Sequence, residues 1–118
     1  MPETAAVPVL WTEIERPSTE LVVVRCFGRL VSGGADDVLY RTVKEVIPTT
    51  PRVVLDLAEL KHTDSMGLGT LVRLYVHGKS MGCRVELMHL NKQVRNLLGL
   101  TGLWDVFAVV GEKGVKFM

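Results

Sequence analysis

The stretch LDLAELKHTDSMGLGTLVRLY, from Leu55 to Tyr75, begins as a strand and ends as a helix, and the turn between them decides the fold. With the residues just before it, its first part reads RVVLDLAEL (Arg52–Leu60). That run is nearly continuous in apolar residues, as expected of a strand covered on both faces. Beyond the turn, Leu68, Leu71, Val72 and Tyr75 recur at helical spacing and line one side. The turn itself spends Asp64, Ser65, Gly67 and Gly69. A glycine inside a helix costs about 0.8–1.0 kcal/mol relative to alanine, so two of them in the first turns ask for a reason.

Upstream of this junction, ELVVVRCFGRL (Glu20–Leu30) is rich in β-branched residues and reads as a strand, broken by Gly33 and Gly34. A helix follows, capped by Asp36 or Asp37, with Leu39, Val43, Val46 and Ile47 forming its apolar stripe and Pro48 ending it. VPVLWTEIE alternates weakly and reads as a first strand, closed by a turn at RPST where Pro17 fixes the backbone. Downstream, Gly82 stops the helix after the serine turn. CRVELMHL is another strand, and Asn91 caps a third helix with Val94, Leu97 and Leu98 in its stripe. Gly102 lies near the end of that helix, and WDVFAVV is the last strand. The order is strand, strand, helix, strand, helix, strand, helix, strand. Regular alternation from the second strand onward predicts an α/β domain with helices packed against a mixed, mostly parallel sheet, the first strand being the antiparallel candidate. In such sheets, sites form where strand ends meet helix starts, and Ser65 lies at such a junction.

The 118 residues fit one domain, taken as residues 8–118 behind a loose segment 1–7. A net charge of +1 with no lysine–arginine cluster gives no electrostatic case for nucleic acid. No apolar stretch approaches the roughly 20 residues of a membrane helix, so direct membrane insertion is not expected. The N-terminus has no basic start and no long apolar run, unlike a signal peptide. Cys26 and Cys83 fall in strand-like runs far apart in sequence. Two buried free thiols in a cytoplasmic protein is the favoured reading, with a Cys26–Cys83 disulfide as the alternative.

Four readings compete for the Ser65 turn. A nucleophile elbow requires G-x-S-x-G, but Thr63-Asp64-Ser65-Met66-Gly67 lacks the first glycine. His62 and Asp64 flank the serine, yet three residues in one tight turn rarely meet side chain to side chain as a triad must. A phosphate cradle requires G-x-G-x-x-G, and GLGTLV has Val72 where the third glycine belongs. No Walker pattern or metal-ligand spacing appears, so neither cofactor nor metal is expected. The third reading is a plain helix start, capped by Thr63, Asp64 or Ser65, with glycines for close packing. The fourth is regulatory. A helix N-terminus tolerates an anion, and a phosphate on Ser65 would add about −1.5 to −2 charges without unfolding the domain.

The sequence VVLDLAELKHTDSMGLGTLVRLY closely resembles the central motif of STAS domains, in particular the bacterial anti-sigma factor antagonists. The family pattern is an apolar strand, then D-S-x-G-L-G, then an apolar helix. Asp64, Ser65, Gly67, Leu68 and Gly69 match it. Gly28 and Leu30 after the Val-rich strand, Gly82, and NKQVRNLLGLTGLWDVF agree as well, so the likeness spans about Glu20 to Val110. The resemblance implies a small cytoplasmic α/β binding module that is not an enzyme. Its partner would be an anti-sigma factor that is also a serine kinase of the histidine-kinase-like ATPase fold. Ser65 would be the phosphorylation site, and a serine phosphatase would reverse the modification. Around it, Asp64 would cap and orient the turn and Gly67 and Gly69 would keep the surface open. His62, Thr63, Met66 and Leu68 would complete the partner-binding surface. A structural STAS module of a larger signalling assembly, stressosome-like or transporter-accessory, is the alternative. Two departures stand out: Gly28-Arg29-Leu30-Val31 replaces the frequent G-E-L-D, and GEKGVKFM is short for the final helix usual in the family.

Overall fold

The computed structural model describes residues 9–103, 107 and 109–110. The segment 1–7, residues 104–106 of the last strand and the tail GEKGVKFM lie outside the described residues. In chain order the elements are β1 (Leu10–Ser18), β2 (Leu21–Leu30), α1 (Ala35–Val46), a 3-10 turn (Ile47–Thr49), β3 (Arg52–Thr63), α2 (Ser65–Ser80), β4 (Arg84–Met88), α3 (Lys92–Thr101) and β5 (Val109–Val110). The five strands lie in sequence order, β1 to β5. β1 is antiparallel to β2 and every other pairing is parallel. This is the mostly parallel mixed sheet that the alternation predicts.

Right-handed crossovers between neighbouring strands put the helices on one face, where α1 packs on α2 and α2 on α3. The core fills the space between that layer and the sheet. Val22, Val24 and Cys26 of β2, Val53, Leu55 and Leu57 of β3, and Val85 and Leu87 of β4 meet Leu39, Val43, Leu71, Leu74, Val94 and Leu98 of the helices. Alternate residues of β2 point to the other face and are half-buried, following the two-residue period of a strand.

That second face corrects one expectation for β3. Val54 and Asp56 are buried there, as the apolar run suggests, but among the described residues no helix covers them. Ion pairs cover them instead: Arg25 reaches Glu15 at 3.0 Å and Asp56 at 3.7 Å, and His89 Nδ1 reaches Asp56 at 2.9 Å. Arg52 and Arg84 meet Glu86 at 2.7 and 2.9 Å. At the β1 end of the same face Trp11 and Phe27 stack with centroids 5.5 Å apart.

Other local expectations also change. The turn expected at RPST falls about two residues later: β1 continues through Pro17 to Ser18, with a register shift after Glu15, and Thr19 and Glu20 make the turn to Leu21, where the Glu20 N–H donates to the Ser18 hydroxyl at 3.1 Å. A proline is tolerated there because β1 is an edge strand, where a missing N–H need not break the ladder. Asp36 and Asp37 do not cap α1. Gly34 holds that position at φ 122° with no side-chain cap, and Asp36 in the first turn accepts from the Gly34 N–H at 3.3 Å. Cys26 and Cys83 are both free and buried. Burial, and then the nearby Asp56 charge, push the Cys26 thiol up to about 12. β3 runs three residues beyond the predicted Leu60, to Thr63. Register shifts between Arg25 and Phe27 and again between Gly28 and Arg29 bend it, and they bring Thr63 opposite Leu30. The start of α2 therefore sits beside the loop that leaves β2.

Candidate functional site

Asp64 builds the turn. It is the N-cap of α2 in extended conformation, and its Oδ1 accepts from the Gly67 N–H at 2.8 Å. Its Oδ2 accepts from the Ser32 N–H at 3.1 Å and from the Ser32 hydroxyl at 3.4 Å. The Asp64 N–H donates to the Leu30 carbonyl at 3.3 Å. One carboxylate thus ties the helix start to the β2–α1 loop. The Gly67 N–H, followed by the Ser32 donors, holds the Asp64 carboxyl below its ordinary value, against partial desolvation. Hydrogen bonds to the charged form favour it, so the turn carries a fixed negative charge at neutral pH.

The third helix braces the other side. The Asn91 side chain caps α3, its Oδ1 accepting from the Val94 N–H at 2.8 Å while its Nδ2 donates to the Leu60 carbonyl at 2.8 Å. Gln93 Oε1 accepts from the Thr63 N–H at 2.7 Å, and its Nε2 faces His62 Nδ1 at 3.2 Å. Ser32 and Gln93 were not singled out from sequence. Both contacts join residues about thirty apart, and no local pattern marks them.

The eight site residues predicted from sequence divide into two groups. Ser65, Met66 and His62 are exposed, Met66 at 56%, and Gly69 and Asp64 are half-exposed. Thr63, Gly67 and Leu68 are buried and therefore do not offer contact area; this corrects the surface role given to them. Leu68 enters the core, as its place in the apolar stripe requires. Gly67 lies against the end of β2, where a Cβ would come within 2.1 Å of the Leu30 carbonyl oxygen and 2.8 Å of Leu30 Cγ. Gly69 is different: a Cβ there would meet no atom of the described residues within 4 Å. The two glycines that looked alike in sequence answer to different demands.

Among the described residues no histidine is hydrogen-bonded to Ser65. His62 Nδ1 faces Gln93, His89 Nδ1 faces Asp56 on the far side of the sheet, and His77 lies beside Tyr40 near the other end of α2. Among the described residues no group of three His, Cys, Asp or Glu side chains could hold a metal ion, and no helix is long and apolar enough to cross a membrane.

A model of the STAS domain family matches residues 13–114. The chain belongs to the STAS domain family. This STAS domain is similar in fold to an anti-sigma factor antagonist from Mycobacterium paratuberculosis, with a TM-score of 0.74 at 23% identity over 86% of that chain and 87% of this one. It is also similar to the Bacillus cell fate determinant SpoIIAA in its phosphorylated form, with a TM-score of 0.67 at 20% identity over 93% of that chain and 86% of this one. A third likeness is to the murine anion transporter Slc26a9, with a TM-score of 0.69 at 16% identity over 85% of this STAS domain but 17% of the transporter.

Proposed function

We propose that this STAS domain is a non-enzymatic anti-sigma factor antagonist switched at Ser65. Unphosphorylated, it docks on an anti-sigma factor that is also a serine kinase of the histidine-kinase-like ATPase fold, and so frees a sigma factor. Phosphorylation at Ser65 ends the docking and a serine phosphatase restores it. One observation carries this reading: Ser65 is exposed at the first position of α2, while Asp64 makes the capping bonds. The side chain that would be modified is thus not the one that holds the turn. With Asp64 kept ionised beside it, a phosphate of about −1.5 to −2 would bring the two side chains together to about −2.5 to −3. Such a charge changes what can dock while leaving the fold intact.

His62 and Met66 stand exposed beside Ser65, and Arg29 at the end of β2 lies in register with His62. They form the rim of the contact. Arg29 and Val31 occupy the positions of the frequent acidic pair, so the partner meets a cation where it would otherwise meet carboxylates. The fold likeness to part of an anion transporter supports a second reading, a structural STAS module of a larger assembly. Capture of partners from native cytosol, followed by incubation with the captured kinase and ATP, tests the first reading. One phosphate mapped to Ser65 by mass spectrometry is the expected result. Modification confined to Thr63 or Ser32, or co-assembly into a large complex without any kinase, would overturn it.

A further inference from the structure

The exposed side of α2 is not the charged surface an ordinary outer helix presents. Ser65, Gly69, Val72, Val76 and Ser80 recur every three or four residues and form one face, on which Val72 is half-buried with one side against the core; Met66, Arg73 and His77 flank it on one side and Lys79 on the other. Gly67, Leu68, Thr70, Leu71, Leu74 and Gly78 form the buried face. Val76 is 58% exposed, comparable to Met66. From Met66 to Ser80 this outer face is about 21 Å long at 1.5 Å per residue. Gly69 lies about one turn in from its N-terminal end. Its backbone is ordinary helix and its Cβ direction is open, so nothing among the described residues calls for glycine there. A residue that weakens the helix without helping the fold is explained by a close neighbour from outside.

The far end of the face opens into a groove between α1 and α2, lined by Tyr40, Val72, Arg73, Val76, His77 and Ser80, with a volume of about 380 Å³. Its charge is one-sided. The Arg73 guanidinium lies 4.2 Å from the Tyr40 ring centroid and Lys44 Nζ lies 5.8 Å from it. Among the described residues neither cation pairs with a carboxylate, while Asp37 on the same helix is matched by Arg41 at 3.3 Å. A cation over an aromatic ring keeps its charge available to a second, anionic neighbour.

We propose that this face of α2, from the Ser65 turn to the Tyr40–Arg73 groove, seats an acidic amphipathic helix of the partner protein. The partner's apolar side lies over Gly69, Val72 and Val76, and its carboxylates meet Arg73 and Lys44. A helix in an apolar groove is anchored by residues at spacings of three and four, which this face offers in complement. The inference rests on the antagonist reading above and extends it: Ser65 is then one end of a longer track, and the distal end sets which partner is accepted. Close approach over Gly69 supplies the fit and the cations supply the selection.

The test is titration of the purified anti-sigma kinase with the whole domain at low and high salt. Arg73→Glu should weaken binding at least tenfold at low salt and should remove part of the salt dependence. Arg16→Glu, a charge reversal on β1 away from α2, should not change affinity. Circular dichroism checks that both variants remain folded. A photocrosslinker at Val76 should join to a helix of the kinase rich in Asp and Glu, and reversing one of those acids to lysine should restore binding to Arg73→Glu. If Ser65→Asp loses affinity while Arg73→Glu and the crosslinker at Val76 show nothing, docking is confined to the turn; this inference falls and the antagonist reading stands. If neither substitution changes affinity, the antagonist reading fails and takes the inference with it.

Discussion

The two faces of α2 use the same residue type for opposite purposes. On the inner face Gly67 and Gly78 are glycines because the sheet side of the domain leaves no room: added Cβ atoms would lie 2.1 Å from the Leu30 carbonyl oxygen and 2.6 Å from Val85 Cγ2. On the outer face Gly69 has open space above it. The inner glycines lower the energy of the folded chain by allowing contact. The outer one raises it, by about 0.8–1.0 kcal/mol relative to alanine. Two residues apart in one turn, a structural requirement and the functional one proposed above are separated by a single geometric question: what would a methyl group touch?

The largest effect should come from Gly67→Ala. Backbone on both sides of the contact prevents easy relief, so thermal and urea unfolding should show a loss of about 3 kcal/mol, at the upper end of overpacking costs. A near-neutral result would mean that α2 can slide off Leu30 and that the inner face is not closely determined. Gly78→Ala should cost less, about 2 kcal/mol, because its two short contacts, Val85 Cγ2 at 2.6 Å and the Cys83 carbonyl oxygen at 2.8 Å, are less severe than the 2.1 Å approach at Gly67.

Asp64→Ala comes next, at about 1 kcal/mol, since it removes an N-cap. It also carries a pH signature. The folded Asp64 carboxyl is held below 3.8, chiefly by the Gly67 N–H. A lowered folded value means the contribution is fully present above the unfolded value of about 4 and is lost as pH falls through the folded one. Wild-type stability should therefore fall more steeply below about pH 4 than that of Asp64→Ala. Parallel acid curves would show that the carboxylate does not hold the turn.

The smallest effect on stability, and the one of opposite sign, belongs to Gly69→Ala. It should stabilise the domain by up to about 1 kcal/mol. If Gly69 lies under the proposed docking helix, the same substitution should weaken binding to the anti-sigma kinase, because the methyl group projects into the space that helix would fill. A variant that is more stable and binds as well as wild type would put Gly69 outside the docking face.

Much of this architecture was readable from local pattern. The alternation of strand and helix fixed the sheet, and the stripes through Leu39, Val43 and Val46, and through Val94 and Leu98, marked the core sides of α1 and α3. Asn91 could be recognised as a cap because a capping side chain acts over three residues, whereas at the serine turn the pattern left Thr63, Asp64 and Ser65 open and Asp64 holds the position. What stayed hidden acts across the chain. Nothing local distinguishes Gly67 from Gly69, since the difference lies in Leu30, nearly forty residues upstream. Ser32 and Gln93 reach the turn only after β2, β3 and α3 have been brought side by side. The polar cover over Asp56 is likewise assembled from Arg25 and His89, two separate segments. Edge position, which allows Pro17 inside β1, is a property of the sheet and not of the strand.

Affinity measures most directly whether Ser65 is the switch of a docking face, as proposed. Calorimetric titration of the purified anti-sigma kinase with unphosphorylated and Ser65-phosphorylated domain compares the two states without a mimic. Enclosing a phosphate in a close contact without a matched cation costs several kcal/mol, and every 1.4 kcal/mol is about tenfold in affinity. The phosphorylated domain should therefore bind at least about a hundredfold more weakly than the unphosphorylated one. Equal affinities, or tighter binding of the phosphorylated form, would contradict it.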